Sequence, residues 1–282
     1  MADAKTEALY QKDGHLYTHT APLSSLSLLS SLPEGTRALF KPPEDGNAEP
    51  YVLTTPSTIF HAQGGGQPSD TGIITSKSVD GSKFVVHQVR KVGAPILHMG
   101  VLDPSPSASQ WKEGAALVQN IDVEKRVLHS RLHTAGHVIG LAIALLSRMP
   151  PTDPTTDIPA TIKDGKASHY PGAAFVEFIG LIPSTAKSAI QAKVDELVAS
   201  DLPVHIHFWS EEEAGRKCIG GTDGAAVPEG EESVRVVDLG GVGSYPCGGT
   251  HVKTLKELGK VVVRNVKRQK GVSKVGYDVA EA

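Results

Sequence analysis

The chain has 282 residues, with 28 Lys and Arg against 31 Asp and Glu and a formal net charge of −3, so no overall basic excess marks it as a nucleic-acid binder. Two cysteines exclude a disulfide framework and point to a reducing compartment, the cytosol. No apolar run reaches the roughly 18 residues of a membrane span, and the acidic opening Met1-Ala2-Asp3-Ala4-Lys5-Thr6-Glu7 is unlike a secretory or mitochondrial leader, so no membrane partner is expected.

Short apolar and β-branched runs recur at Arg37-Ala38-Leu39-Phe40, at Tyr51-Val52-Leu53-Thr54 and over 71–75, 83–89, 94–99 and 115–118. Gly, Pro, Ser and Asp punctuate them, as in the turn over 103–107, and short strands at this spacing favour a small barrel or sandwich. The Ser- and Leu-rich stretch from Leu23 to Leu32 reads as a short helix or an insertion loop. Residues 1–118 are thus expected to form a β domain, and residues 119–282 a second domain mixing helices with strands.

The second region opens with a predicted helix over 122–147. Asp122 stands at the N-cap and Glu124 in the first turn, while Val127, Leu128, Leu132, Ala135, Ile139, Ala142, Ile143 and Leu146 recur at a helical period. The run Pro150-Pro151-Thr152-Asp153-Pro154 stops regular structure, and the segment through Asp164-Gly165 is expected to be a mobile loop. A strand over 175–179 follows, then an amphipathic helix over 185–200 capped by Ser184 or Thr185. Next comes an alternating strand over 204–209, with His205 and His207 on one face and Val204, Ile206 and Phe208 on the other. Further strands are read at 234–237 and 261–266.

On the first of these helices His133 and His137 stand four residues apart, over one another on one face, with Cβ atoms about 5–6 Å apart. Alone, such a pair is as compatible with packing as with metal binding. The segment Cys247-Gly248-Gly249-Thr250-His251 adds a thiol and a third imidazole, on a loop preceded by Gly240, Gly241, Gly243 and Pro246. Glycine-rich backbone of this kind can aim two side chains at one point. Three imidazoles and one thiolate form a tetrahedral zinc ligand set, so His133, His137, Cys247 and His251 are expected to bind Zn2+, in a structural or a catalytic role. His205 and His207 are then left as exposed strand residues. His129, one turn before His133, is either a group behind the ligands or a solvated surface residue.

Charge is distributed unevenly. Between Lys253 and Lys274 eight basic residues stand against one acid, Glu257. Such a stretch is either a basic face for a phosphate backbone or a solvated strand-and-loop face.

Four segments carry a resemblance. They are Phe60-His61-Ala62-Gln63-Gly64-Gly65-Gly66-Gln67-Pro68-Ser69-Asp70-Thr71-Gly72, Arg131-Leu132-His133-Thr134-Ala135-Gly136-His137, Ser168-His169-Tyr170-Pro171-Gly172 running into Phe175-Val176-Glu177-Phe178, and Pro246-Cys247-Gly248-Gly249-Thr250-His251-Val252. Together, from about residue 35 to 280, the chain resembles the AlaX family, free-standing editing proteins related to alanyl-tRNA synthetase, in its longer type with a glycine-rich segment.

The resemblance implies an α+β fold, with an N-terminal small β-barrel followed by an α/β editing domain of the threonyl- and alanyl-tRNA synthetase second-additional-domain type. It implies zinc on the four ligands named above. It also implies an activity, hydrolysis in trans of the ester on mischarged tRNA(Ala), usually seryl-tRNA(Ala) and sometimes glycyl-tRNA(Ala). For that chemistry the backbone N–H groups of Gly248 and Gly249 are candidate oxyanion donors, and His169 is a further candidate catalytic group. Thr134 and His169 are candidate contacts to a serine hydroxyl, a contact that discriminates better than size alone. Thr250 and the Gly64-Gly65-Gly66-Gln67 loop are assigned to the substrate pocket, the loop being otherwise a structural barrel turn, and Arg264 and Lys267 to the tRNA. The stretch over 147–166 matches nothing in the family, and the end over 270–277 is poorer in Arg than in relatives. Two other classes stay open: a zinc-stabilised module that binds tRNA or a protein without catalysis, and a hydrolase of a small acyl ester.

Overall fold

The computed structural model describes residues 4–42, 49–79, 81–103, 108–150, 157–220 and 226–280. Most of the turn read over 103–107, most of the stop over 150–154 and the first three residues lie outside them. The chain divides into two compact bodies, one formed by residues 1–64 and 68–126 and the other by residues 65–67 and 127–282. No helix among the described residues is long and apolar enough to cross a membrane.

The first body contains β1 (Glu7–Ala8), β2 (Thr18–Pro22), β3 (Ser25–Leu28), the single-turn α1 (Glu34–Arg37), β4 (Tyr51–Thr54), β5 (Ser57–Thr58), β6 (Gly72–Ser76), β7 (Lys83–Lys91), β8 (Ile96–Asp103) and β9 (Ala116–Ile121). Among the described residues seven strands form one sheet in the order β2-β9-β6-β7-β8-β4-β3. The sheet curls on itself, because its two edge strands are consecutive in the chain. Leu23 bonds to the Ala115 carbonyl beside β9, and Ser24 to the Thr54 carbonyl at the end of β4, so two residues carry the chain from one edge to the other. Pro22 sits on the edge strand β2, where a missing N–H is tolerated.

Alternation along β7 places Phe84 and Val86 in the core and then shifts phase to bury Val89. The register slips between Val86 and Gln88, a bulge that turns an odd-numbered residue inward. Two expectations are corrected here. Arg37-Ala38-Leu39-Phe40 is no strand, because the chain enters α1 directly after Pro33 and Phe40 reaches the core from the turn that follows. The Ser- and Leu-rich stretch is not an insertion loop, and only its end is helical: Ser25-Leu26-Ser27-Leu28 alternates with period two and pairs with β4, and Leu29–Ser31 forms a single 3₁₀ turn.

Several polar groups are buried within this body, among them one ion pair. Arg126 is 1% exposed and Asp70 0%, and they form an ion pair. The Arg126 guanidinium also donates to the carbonyls of Gly14 at 2.7 Å and Ile59 at 2.6 Å, while Asp70 accepts the His61 N–H at 2.6 Å. Every charge is thereby paired and hydrogen-bonded, the condition under which a buried ion pair is tolerated. His98, on β8, lies beside the Thr58 hydroxyl at 2.8 Å, and its Nδ1–H donates to the Leu53 carbonyl at 3.0 Å.

The second body is built around α2 (Val123–Leu146), whose first turn, through Arg126, belongs to the first body. Asp122 caps it by accepting the Lys125 N–H at 3.1 Å. Leu132, Ala135, Val138, Ile139, Leu141, Ala142 and Ile143 are all buried, too wide an apolar surface for a helix lying on a protein's outside. Around it lie β10 (Lys163–Ser168), β11 (Phe175–Ile179), α3 (Lys187–Ala199), β12 (Val204–Trp209), α4 (Glu211–Lys217), β13 (Val234–Leu239), β14 (Gly243–Pro246), β15 (Val261–Gln269) and β16 (Val272–Val279). They form a four-stranded sheet, β10-β11-β16-β15, and a three-stranded sheet, β12-β13-β14. Residues of α2, α3 and both sheets share one core, including Ile190, Val194, Phe178, Val237, Leu239 and Val275.

Two more readings are corrected. Asp164-Gly165 lies in β10, paired with β11, and is not a mobile loop. The register slips between Asp164 and Ala167, and that irregularity hides the strand from its sequence. Before α3 the cap positions are held by Pro183 and Ala186 around a single 3₁₀ turn, not by Ser184 or Thr185. On β12, Phe208 is 51% exposed, although it shares the parity of Val204 and Ile206, which pack on the core.

Two predictions follow from the buried groups of the first body. Asp70→Ala leaves the Arg126 charge buried without a partner and should lower stability by about 3–5 kcal/mol in urea unfolding, with part of the loss recovered in Asp70→Ala/Arg126→Met. Burial pushes His98 from 6.5 down to about 4, so between these values the unfolded chain holds a proton that the folded protein does not. This contribution is complete above pH 6.5 and fades as pH falls toward 4, a loss of about 3 kcal/mol. The pH slope of the urea midpoint across that window should be shallower in His98→Asn; equal slopes would rule the assignment out.

Candidate metal centre

Helical geometry brings the first two imidazoles together. His133 and His137, one turn apart on α2, have ring centroids 5.1 Å apart. The second pair is delivered by sheet pairing. Cys247 follows β14 directly, and its N–H donates to the Arg235 carbonyl on β13 at 3.0 Å. The Arg235 guanidinium returns a bond to the Cys247 carbonyl, so the start of the loop is clamped from both sides. His251 then turns back toward the same point. One donor atom from each of His133, His137, Cys247 and His251 lies within 4.8 Å of all the others.

The spacing suits a metal ion. Cys247 Sγ is 3.4 Å from His133 Nε2 and 3.3 Å from His251 Nε2. A tetrahedral ion with ordinary metal–nitrogen and metal–sulfur bonds separates its ligand atoms by about 3.4–3.6 Å.

The imidazoles are aimed from behind. His133 donates its Nδ1–H to Gln67 Oε1 at 2.7 Å. That same oxygen accepts the Thr250 N–H at 3.0 Å, and Gln67 Nε2 donates to the Thr250 hydroxyl at 2.8 Å. The Thr134 hydroxyl donates to the Ser130 carbonyl at 2.8 Å, so it can only accept from His251 Nδ1–H, 3.0 Å away. Ser130 Oγ and Thr250 Oγ1, 2.7 Å apart, join the two halves. Both histidines are thereby held as Nδ1–H tautomers, with their Nε2 lone pairs turned toward the cysteine sulfur.

Electrostatics favour neutral nitrogen donors and disfavour a bare thiolate. Burial pushes His137 down to about 3, with His169 and Arg235 adding to the shift. Its Nδ1 is buried with no hydrogen-bond partner among the described residues. Burial pushes the Cys247 thiol up, against the opposing pull of Arg235 and of the Gly249 N–H. A cation among the four groups reverses that last shift, because metal coordination deprotonates a thiol. A neutral imidazole at His137, two further imidazoles with Nε2 turned inward and a thiol that needs a cation to ionise are a donor set that fits a divalent metal.

The centre opens into a cavity of about 440 Å³, with His133, His137, His169, Cys247 and Gly248 on its wall, a size typical of small-ligand sites. The His169 ring stacks on His133 with centroids 4.2 Å apart, and the backbone N–H of His169 donates to the Gly66 carbonyl at 2.8 Å. Burial pushes the His169 ring down to about 3. Gly66 has φ +79°, and a Cβ there would come within 2.5 Å of the Ala167 carbonyl oxygen, so the close approach requires glycine.

The other expected site residues are placed as follows. Gly65 and Gly66 line the cavity, whereas Gly64 belongs to the first body. Gln67, Thr134 and Thr250 stand behind the ligands, all fully buried. The Gly249 N–H points at Cys247 Sγ, 3.4 Å away, while Gly248 faces the cavity. A side chain at Gly249 would collide with the His133 ring. The Arg264 guanidinium donates to the carbonyls of Gly172 and Ala174 at 2.8 and 2.9 Å and pairs with Asp278. Lys267 lies exposed on β15. His129 is buried, not a solvated surface residue. His205 is exposed, and His207 stacks on Trp209.

Three contributors were not foreseen. Ser130 could have been found from its helical spacing to Thr134. Tyr245, whose ring lies 4.7 Å from His137, and Tyr277, on β16, carry no local signal, because strand pairing alone brings them to the helix.

Residues 234–275, spanning β13, the cysteine loop and most of the last hairpin, match the family described as the threonyl and alanyl tRNA synthetase second additional domain. The chain is 31% identical over 202 residues to the alanyl-tRNA editing protein AlaX-M of Methanosarcina barkeri, covering 71% of this chain and 77% of that one. It is 29% identical over 223 residues to the alanyl-tRNA editing protein AlaX-L of Pyrococcus horikoshii, 78% of this chain and 49% of that one. It is 33% identical over 227 residues to the alanine–tRNA ligase of Pyrobaculum arsenaticum, 77% of this chain but only 23% of the ligase. With the match to the AlaX-M protein running through most of both chains, this protein belongs to the AlaX family of alanyl-tRNA editing proteins.

Proposed function

We propose that this protein removes a wrongly attached amino acid from tRNA(Ala) by hydrolysing the aminoacyl ester in trans. Seryl-tRNA(Ala) is the preferred substrate under this reading, glycyl-tRNA(Ala) a second one, and zinc the metal. One observation carries the reading: in a chain of the editing family, three imidazoles and a thiol converge beside a cavity sized for a small acyl group, with His133, His137 and Cys247 on its wall. Residues 1–118 are read as the barrel domain, a reading that the curled sheet supports, and residues 119–282 as the editing domain. The protein is placed in the cytosol.

An aminoacyl ester is already activated, so hydrolysis needs carbonyl polarisation, a placed water and relief of the charge that builds on the carbonyl oxygen. A zinc ion on the four ligands would supply Lewis-acid polarisation. Of the two glycines considered as oxyanion donors, Gly248 lines the cavity, whereas the N–H of Gly249 serves the sulfur. Selection against alanine falls to His169. Thr134 cannot share that role, because its hydroxyl is engaged with Ser130, His251 and Val252. A buried group that requires a hydroxyl partner is left unpaired by alanine. The tRNA acceptor end is assigned to Lys166 on the cavity wall and to exposed Lys267. Arg264 instead braces the Gly172–Ala174 turn.

Two predictions test this. Gln67→Ala should weaken zinc binding about 10- to 100-fold, as loss of a partner behind a ligand generally does, and Cys247→Ala should cost more than that. Elemental analysis, chelator competition and deacylation of seryl-tRNA(Ala) check this, and full activity in a metal-free Cys247→Ala protein would exclude the zinc reading. Lys267→Glu should weaken tRNA binding and flatten the plot of log affinity against log salt by about one unit. An unchanged slope removes Lys267 from the tRNA contact.

A further inference from the structure

The His169 ring is held at one nitrogen and open at the other. Nδ1 lies 2.6 Å from the Tyr277 hydroxyl, which lies in turn 2.9 Å from the Leu132 carbonyl. Nε2 has no hydrogen-bond partner among the described residues, and His169 lines the cavity. Tyr277 is fully buried and Leu132 nearly so, so water does not compete for these bonds. The order of donors follows from chemistry. A carbonyl oxygen only accepts, and the phenol has a single proton. With that proton on the Leu132 carbonyl, the phenol oxygen accepts from His169 Nδ1–H. The opposite order would leave two oxygens facing each other at 2.9 Å with no proton between them.

The packing is built for this contact. Gly136 stands in the interior of α2, where glycine is unfavourable relative to alanine. A Cβ there would lie 2.5 Å from His169 Cε1, 2.9 Å from its Nδ1 and 2.8 Å from the Tyr277 hydroxyl. The helix forgoes a side chain so that imidazole and phenol can meet against its backbone.

We propose that Tyr277 is a positioning residue, which locks His169 in the Nδ1–H tautomer and presents the Nε2 lone pair to the cavity as an acceptor for a side-chain O–H of the bound aminoacyl group. The pocket therefore takes acyl groups that carry a donor at that point. Alanine, which has no side-chain hydroxyl, leaves Nε2 unsatisfied. The proposal rests on the deacylase reading for its consequence but not for its geometry.

The test uses the zinc-loaded full chain with ¹⁵N-labelled histidine, His169 being assigned by loss of its signals in His169→Gln. Long-range proton–nitrogen correlation should show His169 as the Nδ1–H tautomer in the wild type and as a mixture or the Nε2–H form in Tyr277→Phe. The Phe variant keeps the ring and its packing. With unchanged zinc content it should lose about tenfold in kcat/KM on seryl-tRNA(Ala), the worth of one such hydrogen bond, with a smaller loss on glycyl-tRNA(Ala). An Nε2–H tautomer in the wild type overturns the proposal outright, whether or not Tyr277→Phe folds. So does a Phe variant with the Nδ1–H tautomer and full activity. If the wild type shows the Nδ1–H tautomer but cleaves no mischarged tRNA, the deacylase reading fails and the relay stands.

Discussion

Two N–H···O bonds behind the imidazoles of His133 and His251 set the geometry on which the rest of the centre depends. Each takes the proton of Nδ1, one onto Gln67 Oε1 and the other onto the Thr134 hydroxyl. With that proton committed, Nε2 is left as a lone pair, and both lone pairs point at the sulfur of Cys247. The supporting groups are bonded in turn: Gln67 is held by both backbone and side chain of Thr250, and Thr134 by the Ser130 carbonyl. A hydrogen-bond network of this kind, buried and with its members satisfied, resists rearrangement because every alternative strands a polar atom away from water. The ligands are thus oriented by bonds within the protein.

This order has a cost that the site accepts. In this dry pocket the His137 imidazole loses its charged form, and the thiol of Cys247 is held back from ionising by the same burial. A divalent ion suits both, since it coordinates neutral nitrogens and stabilises a thiolate. The glycines tell the same story from the steric side. Gly249 leaves room for the His133 ring, and Gly66 lets the backbone reach Ala167 and the neighbouring His169. Positions that look like flexible loop in the chain are places where something must come close.

Legibility followed periodicity. Strands β4, β6, β7, β8, β11 and β12 and helix α2 declare themselves by apolar runs, alternation or helical stripes. The misreadings fall where that regularity is interrupted or disguised. Serine in Ser25-Leu26-Ser27-Leu28 suggested a loop, although its alternation with leucine is that of a half-buried edge strand. In β10 the slip between Asp164 and Ala167 removes the alternation altogether. Phe208 obeys the period of β12 and is still exposed, because no element covers it among the described residues.

By itself the sequence determined two local facts: an i, i+4 histidine pair on a capped helix and a cysteine–histidine pair on a glycine-rich loop. Both are encoded within a few residues, because helical spacing and glycine's backbone freedom are short-range properties. The tertiary structure alone decided that the two pairs meet, that Thr134 serves His251 and leaves the cavity to His169, and that Tyr277 stands against His169. Those contacts join residues 66 to 183 positions apart. Their partners are chosen by strand pairing and core packing, and no stretch of chain short enough to carry a pattern contains both ends.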